Sequence, residues 1–221
     1  FGTNPSQSSV TYSDTVSATN ASGDPVTVQR SGSASTTATT SSLKAVASVS
    51  TVDPVLSTSH FGAGAGSRLM DLVSVGAAGA AYIKIGLGFS GTLNTMHSES
   101  YNYPFEMAYA SIRQDIWSDP YTHDHIGMDE ACGSWDSKDC GSMTISKLLL
   151  SDAMPVVGGL AVLDFLLDVS VTIDTFAWGL EGGQYGAGAD FSHTLEFLDV
   201  YAYDANGVQI DAVSAVGSDG H

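Results

Sequence analysis

The feature that most constrains the fold of this chain is a strict alternation of apolar and polar residues in several short segments. The clearest segment runs from Ala81 to Leu93, where isoleucine, leucine and phenylalanine alternate with small or polar residues. A period of two places the apolar residues on one face of a β-strand. On the other face, Gly86 and Gly88 keep the surface thin. Because little helical periodicity occurs anywhere, the sequence predicts an all-β fold.

A second alternating segment lies in the last fifth of the chain, from Gly186 to Ile210. A glycine-rich loop leads into the alternation, and the tight-turn signal Asp204-Ala-Asn-Gly207 then interrupts it. This pattern is typical of a half-buried antiparallel strand, a turn and the start of the next strand. Many short apolar segments separated by turn residues predict a β-sandwich or jelly-roll-like antiparallel domain.

Changes in composition divide the chain into an arm and a domain. Residues 1–42 form a Ser/Thr-rich arm with few large apolar groups, and residues 43–221 form the predicted sandwich. Within the domain, residues 94–142 differ in character, because they hold many aromatic side chains and both cysteines. We expect this segment to be a long insertion loop, with a short helix or strand through residues 105–116.

The arm is too poor in apolar groups to fold alone, but part of it alternates like a strand. The alternating apolar residues are Val10, Tyr12 and Val16. Two interpretations follow. The arm adds a strand to the sheet of a neighbouring subunit, where main-chain hydrogen bonds supply the affinity, or it folds onto its own domain.

The chain is strongly acidic, with 24 acidic residues against 7 basic ones and a formal net charge of −17. Such a charge is repelled by phosphate backbones and anionic lipids, which argues against nucleic acid and membrane-surface partners. The longest apolar stretch, residues 148–173, is interrupted by three aspartates and a proline, so we expect no membrane insertion. Cations are the partners that this charge favours.

Two cysteines, Cys132 and Cys140, are each followed by glycine. A disulfide between them would close a short loop and stabilise the fold by about 2.5 kcal/mol in the chain-entropy model. The alternative is two free buried thiols in a reducing compartment. The acidic, Ser/Thr-rich composition favours the disulfide and an exported protein.

The same segment holds the densest group of metal-ligating residue types. Two histidines at positions i and i+2 of a strand share a face and, with a carboxylate, can hold zinc or copper. The carboxylates alone suit calcium, and a solvated acidic loop without metal is the alternative. The candidate ligands are His123, His125, Asp129, Glu130, Asp136 and Asp139.

Trp117 and Trp135 are candidates for stacking on the sugar rings of a polysaccharide, and packing beneath a long loop is the alternative. No sequence motif indicates a reaction. A Gly-x-Ser-x-Gly elbow is missing, and the glycine-rich loop at residues 62–66 lacks the Lys-Ser/Thr of a phosphate loop. We therefore expect a non-enzymatic protein.

Three segments resemble exported bacterial proteins of the PEP-CTERM class: Tyr82–Leu93, Asp168–Ile173 and Ala189–Leu195, the last followed by Asp204-Ala-Asn-Gly-Val. The resemblance covers residues 43–93 and 143–221. It implies export and association with the cell surface or with a polysaccharide, biofilm or floc matrix. The Pro-Glu-Pro motif, apolar helix and basic end of the class do not follow; either sorting removed them or only the β domain is related.

The first residues agree with export, since Phe1-Gly-Thr-Asn-Pro lacks an initiator methionine. We expect a mature N-terminus left after signal-peptide cleavage, the alternative being a trimmed chain. Together these observations predict an extracellular or cell-surface structural protein that self-associates into a filament or matrix fibre by β-strand addition. A carbohydrate- or calcium-binding extracellular module is the second hypothesis.

Overall fold

The structure is a computed structural model that describes residues 6–19, 23–39, 41–52, 59–97, 104–115, 123–132, 141–175, 184–210 and 214–217. Thirteen β-strands occur in these residues, and no helix long and apolar enough to cross a membrane is among them. The strands are β1 (Ser6–Thr19), β2 (Pro25–Ala38), β3 (Ser42–Val52), β4 (Ser59–Val75), β5 (Tyr82–His97), β6 (Pro104–Asp115), β7 (His123–Cys132), β8 (Ser142–Leu150), β9 (Met154–Pro155), β10 (Leu160–Thr175), β11 (Gln184–Tyr203), β12 (Gln209–Ile210) and β13 (Ala215–Val216).

The strands form two antiparallel sheets. The eight-stranded sheet has the order β1-β2-β3-β11-β5-β8, with β12 paired to β11 and β9 paired to β5. The five-stranded sheet has the order β13-β4-β10-β6-β7. Strands of one sheet pack against strands of the other, β4 against β2 and β3, and β6 against β5 and β11. The predicted all-β sandwich is therefore confirmed.

The core lies between the sheets, as the period-two patterns predict. On β5, Ile83, Ile85, Leu87 and Phe89 are buried, and the polar residues and glycines between them face outward. Strand β10 shows the same alternation over Phe165–Ile173. Burying each large apolar side chain contributes about 1.5–3 kcal/mol, so the two inner faces supply the main driving force for folding.

Residues 1–42 and 94–142 contain more regular structure than their compositions indicate. In the arm, β1 pairs with β2, and β2 pairs with β3, so this hairpin extends the chain's own sheet. In the segment 94–142, β6 and β7 form a hairpin of the five-stranded sheet. The predicted helix or strand through residues 105–116 is strand β6.

Candidate functional site: the edges and outer face of the eight-stranded sheet

Strand β1 is one edge of the eight-stranded sheet. It pairs with β2 over its whole length, from Ser6 opposite Ala38 to Thr19 opposite Pro25. No strand in the described part of the chain pairs with its other side. An antiparallel edge strand directs about half of its N–H and C=O groups away from the sheet, where they are ready to pair with another strand.

The β1 edge has few of the features that usually protect an edge strand. Proteins block edges with lysine, proline, bulges or short strands. Strand β1 is 14 residues long, contains no lysine or proline, and pairs with β2 without a register shift. Its one charged residue, Asp14, is held by Arg30 of β2, with Nε–Oδ1 and Nη2–Oδ2 distances of 3.0 and 2.7 Å. These hydrogen bonds hold the pKa of Asp14 below its ordinary value.

Two of the predicted strand-addition residues, Val10 and Tyr12, lie on the core-facing side of β1, where the second sheet does not cover them. Val10 is opposite Ala34 and Tyr12 is opposite Gly32, which is buried. The Tyr12 ring lies against Gly32, where a Cβ atom would collide with the ring, and partial burial raises the pKa of Tyr12. Val10 and Tyr12 nevertheless remain 65% and 40% exposed. The side chain of the third predicted residue, Val16, lies outside the described atoms.

The opposite edge of the sheet is formed by β8 and then β9, which both pair with β5. Between them, the Ser151 backbone N–H donates to the carbonyl of Ile85, so the chain follows β5 through the connection. The one charged residue of β8 is Lys147. Leu148 and Leu150 on its outer face are 82% and 47% exposed. This edge therefore offers backbone groups beside uncovered apolar side chains.

A trough of about 430 Å³ runs along β5 on the outer face of the same sheet. Its floor is low at Gly86, which has no side chain. Tyr201 of β11 lies beside Gly86, and Leu198 lies beside Gly88, where a Cβ atom would be 3.4 Å from Leu198 Cδ1. The other residues that line the trough are Leu87 of β5 and, from three further strands, Leu148, Leu149, Leu150, Asp199, Tyr203 and Gln209.

The trough was not predicted as a site, although its floor has a sequence signal. The glycines on one face of β5 indicate a thin surface, but the walls come from strands far apart in sequence. Next to the trough, Tyr82 and Tyr203 stack with ring centroids 5.1 Å apart. The trough therefore combines aromatic, aliphatic and carboxylate groups on an open surface.

Charged groups on the outer face of the five-stranded sheet form a separate cluster. Arg68 donates two hydrogen bonds to the buried carboxylate of Asp164, at 2.7 and 2.6 Å. Asp168 lies opposite Ser111 in the sheet, and burial raises its pKa whereas the positive charge of Arg113 lowers it. We assign this cluster to the stability of the sheet.

Four of the predicted metal ligands lie on β7, the edge strand of the five-stranded sheet. Their backbone partners on β6 are known, and Asp129, for example, lies opposite Ser111. The side chains of His123, His125, Asp129 and Glu130 are outside the described atoms, as are Asp136 and Asp139 entirely. The residues whose side chains are described contain no group of three metal-ligating side chains. The metal site stays a prediction.

The side chains of the other predicted site residues of the segment 94–142 also lie outside the described atoms. Cys132 ends β7 opposite Ala108, but its side chain and all of Cys140 lie outside the described atoms. The disulfide therefore stays a prediction. Trp117 and Trp135 also lie outside the described residues, so a glycan-stacking role for them is untested.

Comparison with known proteins gives no family for this chain. No protein-family model matches it, and no curated protein matches its sequence. Its function is therefore inferred from the geometry of the sheet edges and of the trough.

Proposed function

We propose that this protein is a non-enzymatic extracellular structural protein, a subunit of a surface filament or matrix fibre that grows by β-strand addition. The observation that carries the proposal is the 14-residue edge of β1, which has no lysine, proline or bulge. Strand addition makes about one main-chain hydrogen bond per residue of the new ladder, and each contributes a net stabilisation of about 1 kcal/mol. The resemblance to exported matrix proteins agrees with this role.

A role in assembly explains why β1 exposes apolar side chains on an edge strand. Isolated chains expose Val10 and Tyr12 on an edge that has no lysine to keep other strands away. Natural sheets avoid such edges because they aggregate. In a protein that assembles, the tendency of an open edge to pair with another strand is useful. If the contact joins different edges of the two copies, it need not close into a ring and can grow a filament.

The proposal is tested by placing lysines on the β1 edge, since edge lysines hinder pairing with another strand. We expect the double variant Ser9→Lys/Ser13→Lys to stay monomeric in sedimentation velocity at concentrations where the native chain assembles, because both positions lie on β1. The control is Ala78→Lys/Ala205→Lys, which makes the same charge change in two exposed turns. Assembly of the edge variant at the native concentration would refute the proposal, as would a native chain that stays monomeric throughout.

A second candidate function, recognition of a neutral polysaccharide, is favoured by the trough. Tyrosine faces stack on sugar rings and carboxylates accept hydrogen bonds from hydroxyl groups, and Tyr201, Tyr203 and Asp199 provide both. The charge of −17 disfavours an anionic glycan.

Retention on insoluble neutral polysaccharides tests this function. We expect Tyr201→Ala and Tyr203→Ala each to weaken binding about three- to tenfold. Tyr109→Ala, on the outer face of the other sheet, is the control. If only Trp117→Ala and Trp135→Ala reduce retention, the glycan site lies in the segment 94–142 instead.

A further inference from the structure

Two edges of the eight-stranded sheet have no further strand paired to them among the described residues, and their strand directions allow them to pair with each other. Every neighbouring pair along β1-β2-β3-β11-β5-β8 is antiparallel, and the path contains six strands. An even number of alternating strands makes β8 antiparallel to β1. A second copy that is shifted along the sheet without being turned over therefore presents its β1 antiparallel to β8 of the first.

We infer that the edge strand β8 of one copy receives β1 of the next copy, antiparallel, with Asp14 opposite Lys147. This inference rests on the proposed function and identifies the partner surface and the register. The contact is heterologous, because it joins different edges of the two copies. Repeating it generates an open filament with one continuous sheet.

The faces of the sheet limit which registers are allowed. Asp14 lies opposite Arg30 on the core-facing side of the sheet, and Lys147 lies opposite the buried Phe89 on that same side. Directly opposite residues of an antiparallel pair share a face, and a shift of one residue turns every side chain over. Only every second register therefore keeps the inner face of one copy continuous with that of the next.

The charged residues and the lengths of β1 and β8 favour the same register among those allowed. Asp14 and Lys147 are the only charged residues of β1 and β8. When they are opposite, Thr19 meets Ser142 and Thr11 meets Leu150, so β1 covers all of β8, and residues 6–10 extend beyond it toward β9. A carboxylate has enough acceptor sites to bind Lys147 while it keeps both hydrogen bonds from Arg30.

The same register brings apolar side chains together. Tyr12 is then opposite Leu149, which is half-buried and shares the inner face of β8 with the buried Ile145. Tyr12 is 40% exposed in the single chain, so the contact would cover apolar area that the chain's own second sheet leaves open. Cross-strand aromatic–aliphatic pairs of this kind stabilise a sheet.

Photo-crosslinking of the full chain tests the register. Tyr12 is replaced by p-benzoylphenylalanine, and labelled and unlabelled chains are mixed, assembled, irradiated and mapped by mass spectrometry. We expect crosslinks between chains from position 12 to residues 147–151. Crosslinks from position 12 to β1 of another chain, in assemblies that still form, would overturn this inference and leave the proposed function standing. Absence of any assembly would overturn both.

A charge variant gives an independent readout. Lys147→Glu places a second negative charge opposite Asp14, and we expect it to raise the critical concentration for assembly about fivefold. Lys44→Glu makes the same charge change on the interior strand β3 and is the control. Equal effects of the two variants would contradict the register.

Discussion

At the scale of single residues, glycines determine where large side chains fit. Phe89 and Phe191 stack in the core with ring centroids 4.7 Å apart. The Phe191 ring lies over Gly91 of β5, where an added Cβ atom would be 2.6 Å from Cε1 of that ring. The register of β5 and β11 shifts across this position, between Asp190 and Leu195 of β11. Gly91 therefore leaves the space that the aromatic pair requires.

Substitution of this glycine should be costly. We expect Gly91→Ala to lower the free energy of unfolding by about 1–3 kcal/mol, because the buried Phe191 ring must move. Gly64→Ala is the control, since its nearest neighbour would be the Val169 carbonyl oxygen at an ordinary 3.5 Å. Urea unfolding of both variants measures the difference. Equal midpoints would show that the core adapts without strain.

Asp168 should make stability depend on pH. Burial raises its pKa in the folded chain above the ordinary 3.8, and Arg113 offsets this only in part. The folded chain therefore binds this proton more tightly than the unfolded chain. The contribution of Asp168 to stability falls as pH rises from the ordinary aspartate pKa through the raised value.

Replacement by asparagine removes the ionisation and tests this sign. We expect Asp168→Asn to melt at a higher temperature than the native chain at neutral pH. The difference should shrink below the ordinary aspartate pKa, where both side chains are uncharged. Melting curves of the two proteins across this pH range provide the measurement. A variant that is less stable at neutral pH would show that the attraction of Arg113 dominates.

At the scale of elements, the edge strands decide what the sandwich can do. Each sheet has a long edge strand, β1 in one and β7 in the other. Strand β1 has one charged residue, whereas β7 has the sequence His-Asp-His-Ile-Gly-Met-Asp-Glu-Ala-Cys, which is rich in ionisable groups. We infer that β1 serves assembly, whereas cation binding by β7 stays a prediction.

A chelator experiment tests the β7 metal site. If a divalent ion is bound there, adding a chelator should lower the melting temperature of protein purified without added metal, because an ion that binds only the folded chain stabilises it. The variant Asp129→Asn/Glu130→Gln should melt at the chelated temperature and show no further response. An unchanged melting curve together with metal-free protein on elemental analysis would rule out the site.

The sequence predicted some elements well because their residues carry a strong periodic signal. Ile83–Phe89 and Phe165–Ile173 bury large side chains at every second position, so both were identifiable as strands. Strand β6 was harder to identify, since its buried positions include Ala108, Ala110 and Gln114. Small and polar inner residues weaken the alternation that separates a strand from a loop.

Other parts of the site were not accessible from sequence. The Ser/Thr-rich arm carries few large apolar side chains, and such strands specify their register and partner only weakly. Its position on the sheet depends on pairing with β3. The trough likewise requires the adjacency of β5, β8 and β11, which no local pattern encodes.

At the scale of the whole molecule, the net charge of −17 opposes assembly. Copies brought edge to edge repel one another, and salt screens this repulsion, with a Debye length of about 10 Å at 0.1 M ionic strength. We expect the critical concentration for assembly to fall as ionic strength rises toward that of serum or sea water. Light scattering against protein concentration at several salt concentrations measures it. A critical concentration that rises with salt would indicate that ion pairs, and not backbone pairing, dominate the contact.

The most direct test of strand-addition assembly is electron cryo-microscopy of the native chain under assembling conditions. Continuation of the sheet across copies requires strands perpendicular to the filament axis and six strands of the path per subunit. At a strand spacing of about 4.8 Å, we expect filaments with an axial subunit repeat of about 29 Å and a cross-β reflection. Monomeric particles, or filaments that lack this spacing and repeat, would contradict it.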